Sequence, residues 1–184
     1  VRYSDIYHLV EYGGKMLQKV IVIGSPGAGK STFSRKLRDL TELPLYYLDM
    51  LWHRADKTTI TKLEFDIHLK NIVLRDGWII DGNYIRTLEM RLRYCDTVFL
   101  LDIPVDVCLS GAKSRIGKVR EDLPWCETEF DSDFQQFILD FPKENLPKIY
   151  ELLEKYRENK KVIIFKSREE AEDYLRELSF GFVP

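Results

Sequence analysis

The sequence predicts an α/β domain, a five-stranded parallel sheet with helices on both faces and a small lid. Three observations carry that expectation. Five short apolar segments, "VIVIG" (20–24), "LYYLD" (45–49), "GWIID" (77–81), "TVFLLD" (97–102) and "KVIIF" (161–165), alternate with stretches of helical periodicity, the pattern of successive βα units. A glycine-rich turn joins the first segment to its helix. Three segments end in aspartate, Asp49, Asp81 and Asp102, at the carboxyl edge where open parallel sheets bind ligands.

The turn is the most specific of these signals. In "VIVIGSPGAGKSTF" (20–33), Gly24, Gly29, Lys30 and Ser31 fit G-x-x-x-x-G-K-[ST], the P-loop, whose backbone N–H groups and lysine wrap phosphates. Glycine costs backbone entropy on ordering, so a cluster of it marks close approach of the backbone to something. The flanks agree. Residues 20–23 are a β-branched run suited to a buried parallel strand. Residues 32–40 read as a helix whose N-terminus offers unpaired N–H groups to an anion. The domain is thus expected to be a P-loop NTPase.

Two later helices open on capping boxes, Thr61-x-x-Glu64 and Ser167-x-x-Glu170, and after the second Ala171, Tyr174, Leu175 and Leu178 recur at helical spacing. Residues 62–75 also alternate like a strand at Leu63, Phe65, Ile67 and Leu69; their length and Lys/Glu content favour a helix. Residues 116–130, "IGKVREDLPWCETEF", lack periodicity and read as a mobile lid. Phe134, Phe137, Ile138 and Phe141 mark a helix broken at Pro142, and Ile149, Leu152, Leu153 and Tyr156 form the core face of another after Pro147. These aromatics read as core. Residues 1–15 fit no part of this layout and are expected to be an extension to a single domain over 16–184.

Composition narrows the function. The chain of 184 residues is 45% apolar and 32% charged, with a net charge of −2. That balance gives no electrostatic footprint for nucleic acid or an anionic membrane. Cys95, Cys108 and Cys126 are odd in number and widely spaced, and His8, His53 and His68 lack ligand spacing. Neither a disulfide framework nor a zinc site follows, and the expected compartment is the reducing cytoplasm.

"GSPGAGKST", "GWIIDGNYIRT" and "FLLDIP" together resemble the adenylate-kinase-like branch of P-loop kinases, with its strand ending in Asp-Gly, its substrate-binding arginine and its second strand ending in Asp-x-Pro. Within it the chain is most similar to the bacterial DNA topology modulation proteins. That likeness rests on Leu48-Asp49 with Trp52, Asp81-Gly82-Asn83-Tyr84, Leu101-Asp102-Ile103-Pro104, and a lid of mixed charge with Cys126 and Glu129. It covers residues 16–178.

The resemblance implies ATP and Mg2+ as cofactors and a small-molecule or nucleotide phosphate acceptor. Gly24, Ser25, Pro26, Gly27, Ala28, Gly29, Lys30, Ser31 and Thr32 would hold the triphosphate, with Lys30 on the β/γ oxygens and Ser31 and Asp81 at the magnesium. Asp49 and Trp52 fall where related kinases bind the acceptor, and Arg86 or Arg91 would add charge there. Arg115 resembles an arginine that clamps the transferring phosphate, and Arg120 is a second within the lid. Lys166 and Ser167 fall where the adenine ring rests. One position departs: Gly111 stands where the branch commonly carries another arginine. A lost clamp weakens catalysis, so a nucleotide-binding regulator with little turnover is the alternative to a kinase.

Overall fold

The computed structural model describes residues 11–12 and 15–180. Most of the extension expected over residues 1–15 lies outside them. Glu11–Tyr12 (β1) pairs antiparallel with Lys15–Met16 (β2), apart from the main sheet.

The main sheet has the expected five strands: Lys19–Gly24 (β3), Leu45–Tyr47 (β4), Trp78–Asp81 (β5), Thr97–Leu101 (β6) and Lys161–Phe165 (β7). All pairs are parallel, in the order β4-β5-β3-β6-β7. Chain order reverses direction at β3, which leaves a crevice at its carboxyl end. The P-loop opens there.

Alternation along the central strands divides two cores. Val20 and Val22 face a layer built from Lys30–Thr41 (α1), Val105–Lys113 (α5) and Arg168–Phe180 (α8), with Phe33, Leu37, Cys108, Ala171 and Leu175 buried. Ile21 and Ile23 face Lys62–Val73 (α3), Ile85–Tyr94 (α4) and Leu146–Lys155 (α7), with Phe65, Leu69, Leu88, Leu92 and Ile149 buried. Burial on both faces is what a wholly parallel sheet requires.

Three local expectations need correction. The segment "LYYLD" stops being strand at Tyr47, and Leu48–Trp52 forms a short helix (α2) that carries Asp49 in its first turn. Leu48 is fully buried and fits over Gly82, where a Cβ would press on it, so the chain turns inward before the aspartate. Pro142 does not break its helix, which runs over Ser132–Glu144 (α6). Pro142 cannot donate to the Ile138 carbonyl, a cost proline carries anywhere past the first turn, and the helix continues through it for two more residues before ending at Glu144. Phe137 is not core but 43% exposed, whereas Ile138 and Phe141 of the same helix are buried.

In α3, by contrast, Phe65, Leu69, Ile72 and Val73 are buried while Leu63 and Ile67 are exposed. The helix period wins over the strand-like alternation, and Thr61 and Glu64 form the full capping box at its start.

Candidate active site

The P-loop is the link between β3 and α1, and α5 lies hard against it. A Cβ on Gly27 would overlap the Cys108 carbonyl, and one on Gly111 would overlap the Gly27 carbonyl and the Arg168 guanidinium. Two glycines thus let a helix and a phosphate loop touch backbone to backbone. Gly111 is a packing residue here. Arg168, at the start of α8, fills the neighbouring space: Nη2 donates to the Gly27 carbonyl at 2.6 Å and the Val107 carbonyl at 3.3 Å, and Nε to the Ala28 carbonyl at 3.3 Å.

Lys30 opens α1 and donates from Nζ to the Ser25 carbonyl at 3.1 Å. Burial pulls its pKa down, opposed by the nearby Asp81 carboxylate. Asp81 closes β5 and is only 4% exposed. Burial pushes its pKa up to about 6 against the pull of Lys30, and Oδ2 has no hydrogen-bond partner among the described residues. Ser31 Oγ donates to Asp122 Oδ2 at 2.7 Å.

Asp122 comes from the segment 116–130, which has no helix or strand but is well held. Arg120 pairs with Asp122 and Glu127, each at 3.3 Å. The Gly117 N–H donates to the Glu127 carbonyl at 2.7 Å, Leu123 is buried, and Trp125 stands edge-on to His53 with ring centres 5.0 Å apart. The lid lies over the P-loop. Arg115, just after α5, is largely buried, which lowers its pKa, and the Arg120 charge lowers it further.

In the "DGNY" stretch at the end of β5 each residue has a distinct role. Asp81 carries the orphaned oxygen. Gly82, at φ 139°, passes close over Leu48. Asn83 clamps the first P-loop residue twice, accepting from the Gly24 N–H at 2.9 Å and donating to the Gly24 carbonyl at 2.6 Å. Tyr84 donates its hydroxyl to Asp49 Oδ1 at 2.7 Å.

Two cavities meet over the loop. One, of about 640 Å³, is lined by Gly27, Ala28, Gly29, Thr32, Gly111 and Arg168. The other, of about 710 Å³, is lined by Lys30, Asp49, Asp81, Tyr84, Trp125 and Phe137. Ser31, Arg115, Arg120 and Asp122 line both and form the shared wall.

Several expected contacts lie elsewhere. Trp52 packs on Phe65 and Tyr84, with ring centres at 5.4 and 6.4 Å, and lines neither cavity. Arg86 is held by Asp66 through two bonds of 2.7 and 2.8 Å at the surface. Arg91 is fully buried and donates to the carbonyls of Gly82, at 2.8 Å, Asn83 and Tyr84; it braces the loop and does not reach a ligand. Lys166 pairs with Asp102, which also accepts from Tyr150 at 2.7 Å, and Ser167 caps α8 by accepting from the Glu170 N–H at 3.1 Å. The side chain of this connection that lines the first cavity is Arg168.

Asp122, Arg168, Asn83 and the α6 aromatics are the site residues the sequence reading missed. Asn83 had a signal, being inside the quoted "DGNY". Asp122 had none, because its segment is aperiodic. Arg168 is adjacent to Lys166 and Ser167 in the chain, and only the packing at Gly111 distinguishes it.

The donors fit a magnesium–triphosphate group. Among the described residues no three His, Cys, Asp or Glu side chains form a metal cage. Mg2+ on a nucleotide keeps several waters and needs only one or two protein donors, which Ser31 and the unpartnered Asp81 oxygen supply.

The chain matches no protein-family model and no curated protein sequence. Solved structures do resemble it. Shikimate kinase from Acinetobacter baumannii, in complex with shikimate, superposes with a TM-score of 0.57 at 18% identity over 91% of this chain and 96% of that one. Shikimate kinase from Bacteroides thetaiotaomicron gives 0.53 at 16% over 89% and 97%. A gluconokinase from Sinorhizobium meliloti 1021 gives 0.51 at 12% over 89% and 90%. At such identities the likeness concerns architecture alone, and with the phosphate loop it makes this an α/β P-loop NTPase fold of the kind those kinases carry.

Proposed function

We propose that the protein is an ATP-dependent kinase that transfers the γ-phosphate to a small-molecule or nucleotide acceptor. The observation that carries the reading is the shared wall: two cavities, each large enough for a small ligand, meet at Ser31, Arg115, Arg120 and Asp122. Phosphoryl transfer is chiefly positioning and charge stabilisation, and both need donor and acceptor to face each other across such a wall.

ATP would lie in the first cavity, with its phosphates on the loop and its base toward Arg168. Lys30 meets the β/γ oxygens, and Ser31 and Asp81 hold the metal and its waters. Bound Mg2+ supplies charge neutralisation at the phosphate oxygens. Arg115 and Arg120 meet the charge that develops on the transferring group. Asp49, oriented by the Tyr84 hydroxyl, is the carboxylate available to the acceptor's hydroxyl. The lid keeps water from competing as nucleophile.

The regulator reading rested on a missing arginine at Gly111. At Gly111 the absence of a side chain follows from α5 packing on the Gly27 carbonyl, so it does not speak against transfer. Placement with the bacterial DNA topology modulation proteins and in the cytoplasm belongs to the same proposal, supported by the motif pattern and the free cysteines. No helix of the described residues is long and apolar enough to cross a membrane. The test is transfer of label from γ-labelled ATP across a panel of nucleotides, nucleosides and hydroxylated metabolites. Tight ATP binding without transfer to any of them would favour the regulator.

A further inference from the structure

The second cavity has an unusual charge balance for a phosphate-acceptor site. The two arginines expected to hold an anionic acceptor are unavailable to it: Arg86 is paired with Asp66, and Arg91 is buried on three carbonyls. Of the cations that do line the cavity, Lys30 stands by Asp81, Arg115 is on the transfer wall, and Arg120 is paired with Asp122 and Glu127. Only Lys57, exposed at the surface, is left over.

Carboxylates outnumber cations in the rest of the lining. Asp49, Glu129 and Asp131 line the cavity; Asp49 accepts from the Tyr84 hydroxyl and Asp131 from the Phe134 N–H, and none of the three forms an ion pair among the described residues. Deeper in, Asp81 lines the same cavity with its unpartnered oxygen at 4% exposure. Trp125, Phe134 and Phe137 supply an apolar side, and Phe137 is 43% exposed although its helix has a core face to offer.

We infer that the acceptor is an uncharged or cationic alcohol bearing a ring or apolar group, such as a nucleoside or an amino sugar, and not a phosphomonoester or a hydroxy acid. The inference rests on the kinase reading above. An anionic acceptor would bring its charge among Asp49, Glu129 and Asp131. Apart from the exposed Lys57, the cations of the cavity without an ion pair, Lys30 and Arg115, are the ones that meet ATP's own phosphates, so the acceptor's charge would face carboxylates of like sign. An ammonium group would meet these carboxylates favourably, and a flat ring would lie on the aromatic side.

The test pairs acceptors of related skeleton and different charge. Transfer from labelled ATP by the full chain is measured to adenosine, cytidine and glucosamine, and to AMP, CMP and gluconate. Calorimetric titration of the same six compounds without nucleotide gives a readout independent of turnover. We expect the first three to be preferred at least tenfold in both assays. Glu129→Lys, on the exposed lid, and Asp49→Asn should each narrow that ratio at least threefold. Preference for the anionic set, or a ratio that neither variant moves, overturns the inference and leaves the kinase reading standing. Transfer to none of the six, nor to any wider acceptor, overturns the kinase reading itself and this inference with it.

Discussion

Asp81 concentrates the electrostatics of the site in one side chain. Its pKa is raised to about 6 from 3.8, by burial first, with Lys30 opposing. An acid whose pKa is higher folded than unfolded takes up a proton on folding. Its contribution is fully present below the unfolded value and is lost as the pH rises through about 6, a change of roughly 3 kcal/mol. Stability of the nucleotide-free protein should therefore fall between pH 4 and 6, and Asp81→Asn should flatten that slope in thermal melts taken across the range. Magnesium-dependent turnover should move the opposite way, rising through pH 6 as the carboxylate ionises, and it should be largely lost in the variant. Lys30→Ala should weaken ATP binding by at least tenfold in calorimetry, since no other cation lies inside the loop. Lys30 and Ser31 were legible because the P-loop motif places them side by side on contiguous backbone, and Asp81 because it closes a strand of the same sheet edge. Arg86, Arg91 and Lys166 were not, because an arginine or lysine near a motif takes whichever acceptor tertiary packing brings within reach. For Arg91 that acceptor is backbone.

Among the elements, α5 and α4 show how packing decides roles that sequence position suggests differently. A glycine inside a helix costs about 1 kcal/mol against alanine, and Gly111 is kept at that cost because α5 touches the P-loop there. Gly111→Arg, which would restore a lost clamp if the position faced a ligand, should instead push α5 off Gly27. Overpacking of this kind costs about 1–3 kcal/mol, so we expect a lower melting temperature and weaker ATP binding, and no gain in turnover. The α4 counterpart is Arg91, whose three carbonyl acceptors hold the loop that carries Asn83 and Tyr84. Arg91→Met keeps the bulk but takes the guanidinium from the Gly82 and Asn83 carbonyls, while the Tyr84 carbonyl still accepts from the Thr87 N–H and hydroxyl, and losing a hydrogen bond to a charged group costs about 1.5–3 kcal/mol. Denaturant unfolding should show a destabilisation in that range, with substrate affinity falling too as Asp49 loses the Tyr84 hydroxyl. Helices α1, α3 and α8 were readable from their periods and caps. The end of β4 and the course of α6 were not, since Leu48 turns inward to meet Gly82 and α6 runs through Pro142 to Glu144.

For the molecule as a whole, five strands and their parallel sense follow from alternation of apolar runs with helices, while the order β4-β5-β3-β6-β7 is set by contacts between segments far apart in the chain. That order brings the ends of β3, β4 and β5 under one lid and makes the shared wall possible. Arg115 is the residue of that wall with most to reveal. It follows α5, lines both cavities, and has Arg120, Asp122, Glu127 and Asp81 as its electrostatic neighbours. Burial and the Arg120 charge disfavour its own charged state in the free protein, so an anion arriving between the cavities relieves an existing cost. If ground-state ATP were the main beneficiary, Arg115→Ala would raise the Kd for ATP and leave kcat nearly unchanged. The position between the cavities argues for the transferring group, whose charge is redistributed only during reaction, so the larger loss should be in kcat. We expect a drop of about 100-fold or more in kcat, as for loss of a charge-stabilising donor, with ATP affinity within about threefold of the parent. Arg115→Lys should recover little, because a point charge does not reproduce the bidentate geometry of a guanidinium. Steady-state kinetics with calorimetric ATP titration on the two variants separates these outcomes, and an unchanged kcat in Arg115→Ala would remove this arginine from the transfer step.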